Sequence, residues 1–298
     1  MNWPRGSQVK VRQPLKDKTT FKIGGRAQFF SEPGSLPELR SILESAQRKK
    51  IPVFVLGAGS NLLISDRGVK GLVLKLSSVY FRKIVLKGNC IEAGSGVTLS
   101  QLIKFAQTKS LSGLEFLAGI PGTLGGALVM NAGCWERTLG ELVKGAGVMD
   151  YRGRIKILGK KEIKFSYRKS SLGKYIVLSA LLRLKKSSQA RIQKNIKKYL
   201  MFRYKGQGLS RPNAGCIFRN PPQRYAGKLI EMCGLKGKKR GQAFVSERHA
   251  NFILNRGRAS AKDVLGLMRI IQKKVKDEFK ITLQPEIKIW AGKKNLAG

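Results

Sequence analysis

The chain has 298 residues and is 42% apolar, so it is long enough for one large domain or two to three ordinary ones with real cores. No stretch approaches the roughly 18 uninterrupted apolar residues that a membrane span needs. The first residues also lack the apolar run of a secretory signal, so we expect a cytoplasmic protein. The composition excludes a disordered chain and a membrane-spanning one.

The charge is strongly basic, with 59 Lys and Arg against 17 Asp and Glu, a net +42. Such an excess attracts polyanions, including RNA. The cations are spread along the chain, however, and no RNP, KH or zinc-finger pattern is present. We therefore predict non-specific RNA association at most and no specific nucleic-acid partner. We also expect a monomer, although no feature of the charge pattern bears on the oligomeric state.

Four cysteines and one histidine are widely separated along the sequence. Because no CxxC pair occurs, the pattern favours neither a zinc site nor a disulfide framework. We predict free thiols and no metal.

The first part of the chain alternates predicted strands and helices. Helical spacing covers 36–50 and 98–111. Strand-like runs cover 52–56, 71–77, 83–93 and several stretches of 143–184, and a β-rich run at 19–30 is broken by Gly24 and Gly25. A basic segment with helical period, 188–204, then connects to a second region.

The second region contains a short apolar helix at 226–233 and a longer one at 261–279. Ser260 and Asp263 have the spacing of a capping box, which predicts that the longer helix begins after Ser260. The apolar run at 281–290 predicts a last strand that returns to the main body.

A first glycine loop, VLGAGSN, follows a predicted strand at residues 55–61. Its glycines allow backbone N–H groups to approach an anion closely. It is not the GxGxxG of the dinucleotide-binding Rossmann fold, and alone it is equally well explained as a tight turn.

A second glycine-rich run, GLEFLAGIPGTLGGALVMNAGC, covers residues 113–134. Ordinary turns do not need so many glycines in one apolar run, whereas a backbone that lies flat against a large ligand does. Two such loops in one α/β region indicate one extended ligand of dinucleotide size.

Eight motifs in order resemble those of the UDP-N-acetylenolpyruvoylglucosamine reductases, in the more compact of that family's two subclasses. They cover nearly the whole chain and read TTFKIGGRAQFF, VLGAGSNLLISD, GLEFLAGIPGTLGGALVMNAG, FSYRKS, NAGCIFRNP, AGKLIEMCGLKG, VSERHANFILN and LQPEIKI.

The resemblance implies an α+β protein with a vanillyl-alcohol-oxidase-like (PCMH-type) FAD-binding fold. Its domains would be FAD-binding subdomains at 1–75 and 76–187 and a C-terminal α+β substrate-binding domain at 188–298. It further implies that FAD is bound non-covalently and reduced by NADPH. The reduced flavin then reduces an enolpyruvyl nucleotide sugar to UDP-N-acetylmuramate for peptidoglycan synthesis.

The same resemblance assigns the two glycine loops to FAD. The implied cofactor-binding residues are Leu56, Gly57, Ala58, Gly59, Ser60, Asn61, Gly119, Ile120, Pro121, Gly122, Thr123, Gly125, Gly126 and Asn131.

The implied catalytic residues are Arg168, Cys216 and Glu286. Hydride addition to a double bond conjugated to a carboxylate places negative charge on that carboxylate, which a guanidinium can bind through its planar fork. Arg168 would do this, and Glu286 would position or polarise the same group.

Cys216 departs from the family pattern, where a serine is the usual proton donor. A free thiol has a pKa of about 8.5, so it is largely protonated at neutral pH and is a stronger acid than a hydroxyl. We expect Cys216 to donate the proton; the alternative is an inert Cys216 and another donor.

Four further residues stand at family positions near the substrate nucleotide or the nicotinamide: Tyr167, Asn220, Lys236 and His249. Arg203 and Gln207 also keep the family's spacing before the AGC motif. A lone histidine is more often a satisfied core residue than a functional one, and this alternative stays open for His249.

Two other functions compete. One is a flavin oxidase or dehydrogenase of the same fold. Many of these enzymes attach the flavin covalently, and this chain has no histidine before residue 249 that could do so. The other is a basic RNA-associated protein without chemistry, against which Arg168, Cys216 and Glu286 are all retained.

Overall fold

The computed structural model describes residues 3–207, 211–292 and 294–295 and divides the chain into two compact units. The first unit contains 1–10, 30–58 and 72–203, and the second contains 11–29, 59–71 and 204–298. Each unit is therefore assembled from segments that are distant in sequence.

The helices of the described residues are α1 (Leu36–Arg48), α2 (Leu99–Thr108), α3 (Leu124–Val129), α4 (Gln189–Gln207), α5 (Ala226–Met232) and α6 (Ala261–Phe279). The strands are β1 (Val9–Pro14), β2 (Arg26–Ser31), β3 (Val53–Leu56), β4 (Leu62–Lys75), β5 (Ile84–Lys87), β6 (Cys90–Gly94), β7 (Leu111–Ser112), β8 (Gly133–Cys134), β9 (Arg137–Thr138), β10 (Val143–Met149), β11 (Ile155–Gly159), β12 (Phe165–Ser166), β13 (Lys169–Ser170), β14 (Ile176–Arg183), β15 (Lys185–Lys186), β16 (Lys239–Arg240), β17 (Ala243–Val245), β18 (Ile253–Asn255), β19 (Lys288–Gly292) and β20 (Lys294–Asn295).

The first unit is built on an antiparallel sheet with strand order β11-β10-β14-β6-β5. Its central strand, β14, is nearly all apolar and mostly buried, as expected for a strand that has neighbours on both sides. Helices α2 and α3 bury Leu102, Ile103 and Leu124 in the same core as the inward side chains of the sheet.

Each half of the long strand β4 has its own parallel partner. In the first unit, β3 pairs with the second half, from Val53 opposite Leu72 to Leu56 opposite Lys75. In the second unit, β19 pairs with the first half, beginning with Lys288 opposite Leu62. The C-terminal segment thus returns to the strand that leaves the first glycine loop.

The second unit has its own core around α5, α6 and the small antiparallel sheet β16-β17-β18. Helix α6 begins with the predicted capping box, because the Asp263 N–H donates to Ser260 Oγ at 3.0 Å and the Ser260 N–H donates to Asp263 Oδ2 at 3.0 Å. Two further N–H groups, those of Ala261 and Lys262, donate to the Asp66 carboxylate at 2.8 and 3.1 Å. Every predicted feature of this helix start is confirmed, and Asp66 is an additional cap.

The predicted helices correspond to α1, α2, α4, α5 and α6, but the predicted strands differ from the observed ones at two clear places. In the first β-rich run, the strand β2 begins only at Arg26, and residues 19–25 are turn and irregular backbone. The run at 281–290 was expected to be a strand throughout, but β19 begins only at Lys288. The preceding backbone bonds elsewhere, since the Arg219 N–H donates to Gln284 O at 2.9 Å and the Glu286 N–H donates to Ile217 O at 2.8 Å. Among the described residues, no helix has the length and apolarity to cross a membrane.

Candidate active site

The first glycine loop connects two strands, β3 and β4, rather than a strand and a helix. This agrees with the expectation that it is not a Rossmann loop. A Cβ added at Gly57 would lie 2.8 Å from Thr123 Oγ1 and 3.8 Å from the Cα of Gly126. The two glycine loops therefore touch within the first unit, and a side chain at Gly57 would separate them.

The rest of the first loop belongs to the second unit. Gly59 has φ +66°, and a Cβ there would lie 2.5 Å from Lys18 O. Its carbonyl also accepts a hydrogen bond from the Thr20 N–H at 3.3 Å. Only glycine fits this left-handed, closely packed position.

The second loop passes from a 3₁₀ turn at Glu115–Leu117 into α3, where the Thr123 hydroxyl caps the helix by accepting from the Gly126 N–H at 3.5 Å. A Cβ at Gly126 would meet only this Oγ1, at 3.6 Å, so the backbone is open on that side. Gly119, Pro121 and Gly126 are exposed. The loop thus presents bare backbone, which suits a flat or phosphorylated ligand such as FAD.

Arg168 lies in the tight turn between β12 and β13, with φ +55°. Its Nη1 donates to Gly133 O at 2.8 Å. Asn131 fixes the same hairpin, because its Nδ2 donates to Ser166 O at 3.0 Å while its Oδ1 accepts from the Gly140 N–H at 2.9 Å. The end of the second glycine loop therefore holds the hairpin that carries Arg168.

Cys216 belongs to an extended segment in the second unit. It is paired with Phe252 in an antiparallel bridge, and the Ile217 N–H donates to Asn251 O at 2.8 Å. The Asn251 side chain bonds to both backbone groups of Phe218, as a neighbouring strand would. Its Oδ1 accepts from the Phe218 N–H at 2.9 Å, and its Nδ2 donates to Phe218 O at 2.8 Å.

Glu286 lies on the other side of this segment, where its N–H donates to Ile217 O. Phe218 and Pro285 form the adjacent antiparallel bridge. Cys216 and Glu286 are therefore on neighbouring backbone segments, and both are only partly buried. The carbonyl of Glu286 also accepts from Asn61 Nδ2 at 3.2 Å, so a first-loop residue contacts this pair.

Three predicted substrate residues surround α5 in the second unit. Asn220 Oδ1 accepts from the Ala226 N–H at 3.0 Å, and Lys236 forms an ion pair with Glu231. His249 Nδ1 accepts from the Asn251 N–H at 3.3 Å, and a Cβ at Gly227 would lie 3.1 Å from the His249 ring.

Burial is the largest cause that lowers the pKa of His249; the charge of Lys236 lowers it too, while Glu231 opposes. The histidine is therefore neutral at neutral pH. Its Nδ1 is an acceptor, which places the proton on Nε2.

All four cysteines lie in the described residues, and none of them forms a disulfide bond there. Burial raises the pKa of Cys134 although the neighbouring Arg203 opposes this, and the thiol donates to Phe116 O at 2.9 Å. Burial is also the main cause that raises the pKa of Cys233 to about 11. Both thiols are poor nucleophiles.

Of the predicted residues, the first unit holds Arg168, Tyr167 and the second glycine loop, and the second unit holds Cys216, Glu286, Asn220, Lys236 and His249. Sequence reasoning missed Asn251 as the residue that shapes the Cys216 segment. Its place inside the VSERHANFILN motif was the available signal.

Two family models match the chain. Residues 27–159 match an FAD-binding domain, and residues 207–290 match the C-terminal domain of UDP-N-acetylenolpyruvoylglucosamine reductase. The UDP-N-acetylenolpyruvoylglucosamine reductase of Caldanaerobacter subterraneus subsp. tengcongensis is 45% identical over 284 residues, 95% of this chain and 93% of that protein. The chain belongs to the UDP-N-acetylenolpyruvoylglucosamine reductase family.

Other members agree with this assignment. The Moorella thermoacetica UDP-N-acetylenolpyruvoylglucosamine reductase is also 45% identical, over 95% of this chain and 93% of that protein. The crystal structure of the reductase from Thermus caldophilus superposes with a TM-score of 0.82 at 37% identity, covering 96% of this chain and 99% of that one. The predicted family and the PCMH-type FAD-binding fold are confirmed, whereas the predicted domain boundaries and residue roles stay predictions.

Proposed function

We propose that this chain reduces the enolpyruvyl ether of UDP-N-acetylglucosamine enolpyruvate to UDP-N-acetylmuramate, using FAD and taking its electrons from NADPH. The reaction supplies a precursor of peptidoglycan. Membership of the reductase family across 95% of the chain carries this proposal. As a member of that family the chain is an FAD-dependent oxidoreductase.

The two glycine loops support FAD as the cofactor. Gly57 lies so close to Thr123 and Gly126 that a side chain would not fit. The backbone at Gly126 is exposed, and a Cβ there would meet only Thr123 Oγ1, so no other side chain covers it. When bound, FAD supplies a hydride to the carbon-carbon double bond and regains one from the nicotinamide. The residues in the first and second loops would hold it non-covalently.

Arg168 would bind the substrate carboxylate. Its Nη1 donates to Gly133 O at 2.8 Å, which helps to orient the planar guanidinium. As the β carbon gains a hydride, negative charge develops at the α carbon and on the carboxylate, and the guanidinium stabilises that charge.

Cys216 would then deliver a proton to the α carbon. Its segment is held on one side by Asn251 and on the other by the backbone of Glu286, so the thiol is carried by a firm support. Glu286, on the neighbouring segment, would orient the same carboxyl group. Tyr167, Asn220, Lys236 and His249 would contact the nucleotide part of the substrate or the nicotinamide.

A steady-state assay tests this function. Purified protein with FAD, NADPH and UDP-N-acetylglucosamine enolpyruvate in anaerobic buffer should consume NADPH only when the nucleotide sugar is present, and mass spectrometry should find a product heavier by two hydrogens. NADPH consumption that does not depend on the sugar, or an unchanged sugar, contradicts the proposal. A cytoplasmic location, a monomeric state and non-specific RNA association remain predictions beyond this reaction.

A further inference from the structure

Arg203, in the last two turns of α4, makes contacts with two separate parts of the first unit. Its Nε–H donates to Ala118 O at 3.1 Å, and its Nη2 donates to Cys134 Sγ at 3.6 Å. Its guanidinium carbon lies 5.5 Å from the centre of the Trp135 ring. A single side chain therefore connects the helix, the start of the second glycine loop and the β8–β9 hairpin.

The contact with the glycine loop continues at the next residue. Gly119 has φ +76°, and a Cβ there would lie 2.9 Å from Arg203 Cδ and 3.1 Å from Leu200 Cδ2. The left-handed backbone and the missing side chain allow α4 to lie directly on the loop. The position of Arg203 and the conformation of the loop at Ala118–Gly119 consequently fix each other.

The β8–β9 hairpin also brings the Trp135 ring close to the guanidinium. Trp135 and Glu136, at its turn, have φ of 49° and 61°, a conformation that costs free energy in residues other than glycine. The indole ring packs 5.0 Å from the Tyr199 ring and 6.0 Å from the Phe202 ring. These aromatic contacts and the cation–π contact hold the strained turn against α4.

We propose that Arg203 is a positioning residue that holds the second glycine loop in its flavin-binding conformation. The proposal rests on the proposed function, because it assigns that loop to FAD. Arg203 acts through the loop backbone: its bond to Ala118 O fixes the peptide before Gly119, and its bond to the Cys134 sulfur fixes the direction of the guanidinium. Lysine would retain the charge but not the planar fork that bonds in two directions.

The test measures FAD release from the holoenzyme. Holoenzyme is diluted in steps, free FAD is separated by ultrafiltration, and the dissociation constant is measured for wild type, Arg203→Leu, Arg203→Lys and Lys197→Leu. We expect about tenfold weaker FAD binding for Arg203→Leu, equivalent to about 1.4 kcal/mol, which is close to the net contribution of a hydrogen bond to a charged group. Arg203→Lys should fall between this variant and wild type.

Lys197→Leu is the matched control, since it removes one exposed positive charge from the same helix. It should bind FAD as wild type does, and only the Arg203 variants should show an altered visible spectrum of the bound flavin. Wild-type affinity and spectrum in Arg203→Leu, or equal weakening in Lys197→Leu, overturn the proposal. If Arg203→Leu does not fold, Arg203→Lys provides the test. Wild-type FAD affinity and a wild-type flavin spectrum in Arg203→Lys would also overturn the proposal. A wild-type protein that binds no FAD contradicts the proposed function instead.

Discussion

The side chain of Asn61 holds the backbone of Glu286: Nδ2 donates to the Glu286 carbonyl over 3.2 Å. The Lys288 N–H in turn donates to the Asn61 carbonyl at 2.9 Å. The last residue of the first glycine loop and the C-terminal segment are thus joined by two hydrogen bonds within the second unit. These two hydrogen bonds connect a loop that we assign to FAD with a residue that we assign to the substrate carboxylate.

Replacing Asn61 should therefore disturb Glu286. Asn61→Ala removes the donor, and we expect a loss of about 1 kcal/mol in the free energy of unfolding and a fall of about tenfold in kcat, since a small misplacement of a catalytic group is costly. Urea unfolding and steady-state kinetics at saturating FAD measure the two effects. Gln193→Ala, at an exposed position of α4, is the control; an unchanged kcat in Asn61→Ala would show that this bond does not position Glu286.

Gly57→Ala should weaken FAD binding because its Cβ would lie 2.8 Å from Thr123 Oγ1 and push the loops apart. The flavin-to-protein ratio after gel filtration measures this. The double variant Gly57→Ala, Thr123→Ala removes the opposing oxygen and should recover part of the bound flavin.

Gly206→Ala serves as its control, since a Cβ at Gly206 would meet nothing within 4 Å and α4 should gain up to about 1 kcal/mol in helix propensity. A Gly57→Ala protein that is purified with full flavin would contradict the close approach of the two loops.

Asp66→Ala should destabilise the second unit. The Asp66 carboxylate accepts the N–H groups of Ala261 and Lys262 at the start of α6, and losing such a cap costs about 1–2 kcal/mol. Denaturant unfolding measures the change. Asp17→Ala, which alters an aspartate whose side chain is 81% exposed, should change the stability little. If the two substitutions change the free energy of unfolding equally, Asp66 does not stabilise the start of α6 as a cap.

His249 should make stability depend on pH below neutrality. Its pKa in the folded protein is lowered, mainly by burial, relative to the unfolded value of about 6.5. The unfolded state therefore takes up the proton first as the pH falls. The stabilisation that comes from the neutral form of His249 is fully present above the unfolded pKa. It decreases as the pH drops below that value, and it stops changing below the folded pKa.

Denaturant unfolding at pH 7.5 and pH 5 measures this difference in wild type and His249→Gln. The variant should lose less stability between the two values than wild type does. Identical losses would mean that His249 titrates alike in both states.

Local sequence patterns predicted the helices well, because their signals are carried by nearby residues: Ser260 and Asp263 gave the start of α6 correctly. What escaped prediction depends on contacts between distant segments. Asp66 caps a helix that begins 195 positions later, and Asn251 bonds to Phe218 across 33 positions. The late start of β19 has the same origin, since Gln284 and Glu286 bond to the Cys216 segment instead.

The candidate site was predicted in a similar way. The glycine loops were recognisable from composition, and their contact at Gly57 and Thr123 agrees with one shared ligand. The roles of Arg168, Cys216 and Glu286 came from the family resemblance alone. The hydrogen bond from Arg203 to Ala118 O was not predicted, because no local pattern indicates that an arginine in a basic helix bonds to a loop 85 positions earlier.

The most direct test of the central claim follows the flavin in stopped flow without oxygen. Wild-type protein with bound FAD is first bleached by NADPH and then mixed with UDP-N-acetylglucosamine enolpyruvate, with Cys216→Ser and Cys216→Ala in parallel. We predict that all three bleach, that wild type and Cys216→Ser reoxidise rapidly, and that Cys216→Ala reoxidises at least about a hundredfold more slowly, as expected for the loss of a general acid. Equal reoxidation in all three would assign the proton to another group, and a wild-type flavin that stays reduced in the presence of the nucleotide sugar would contradict the account.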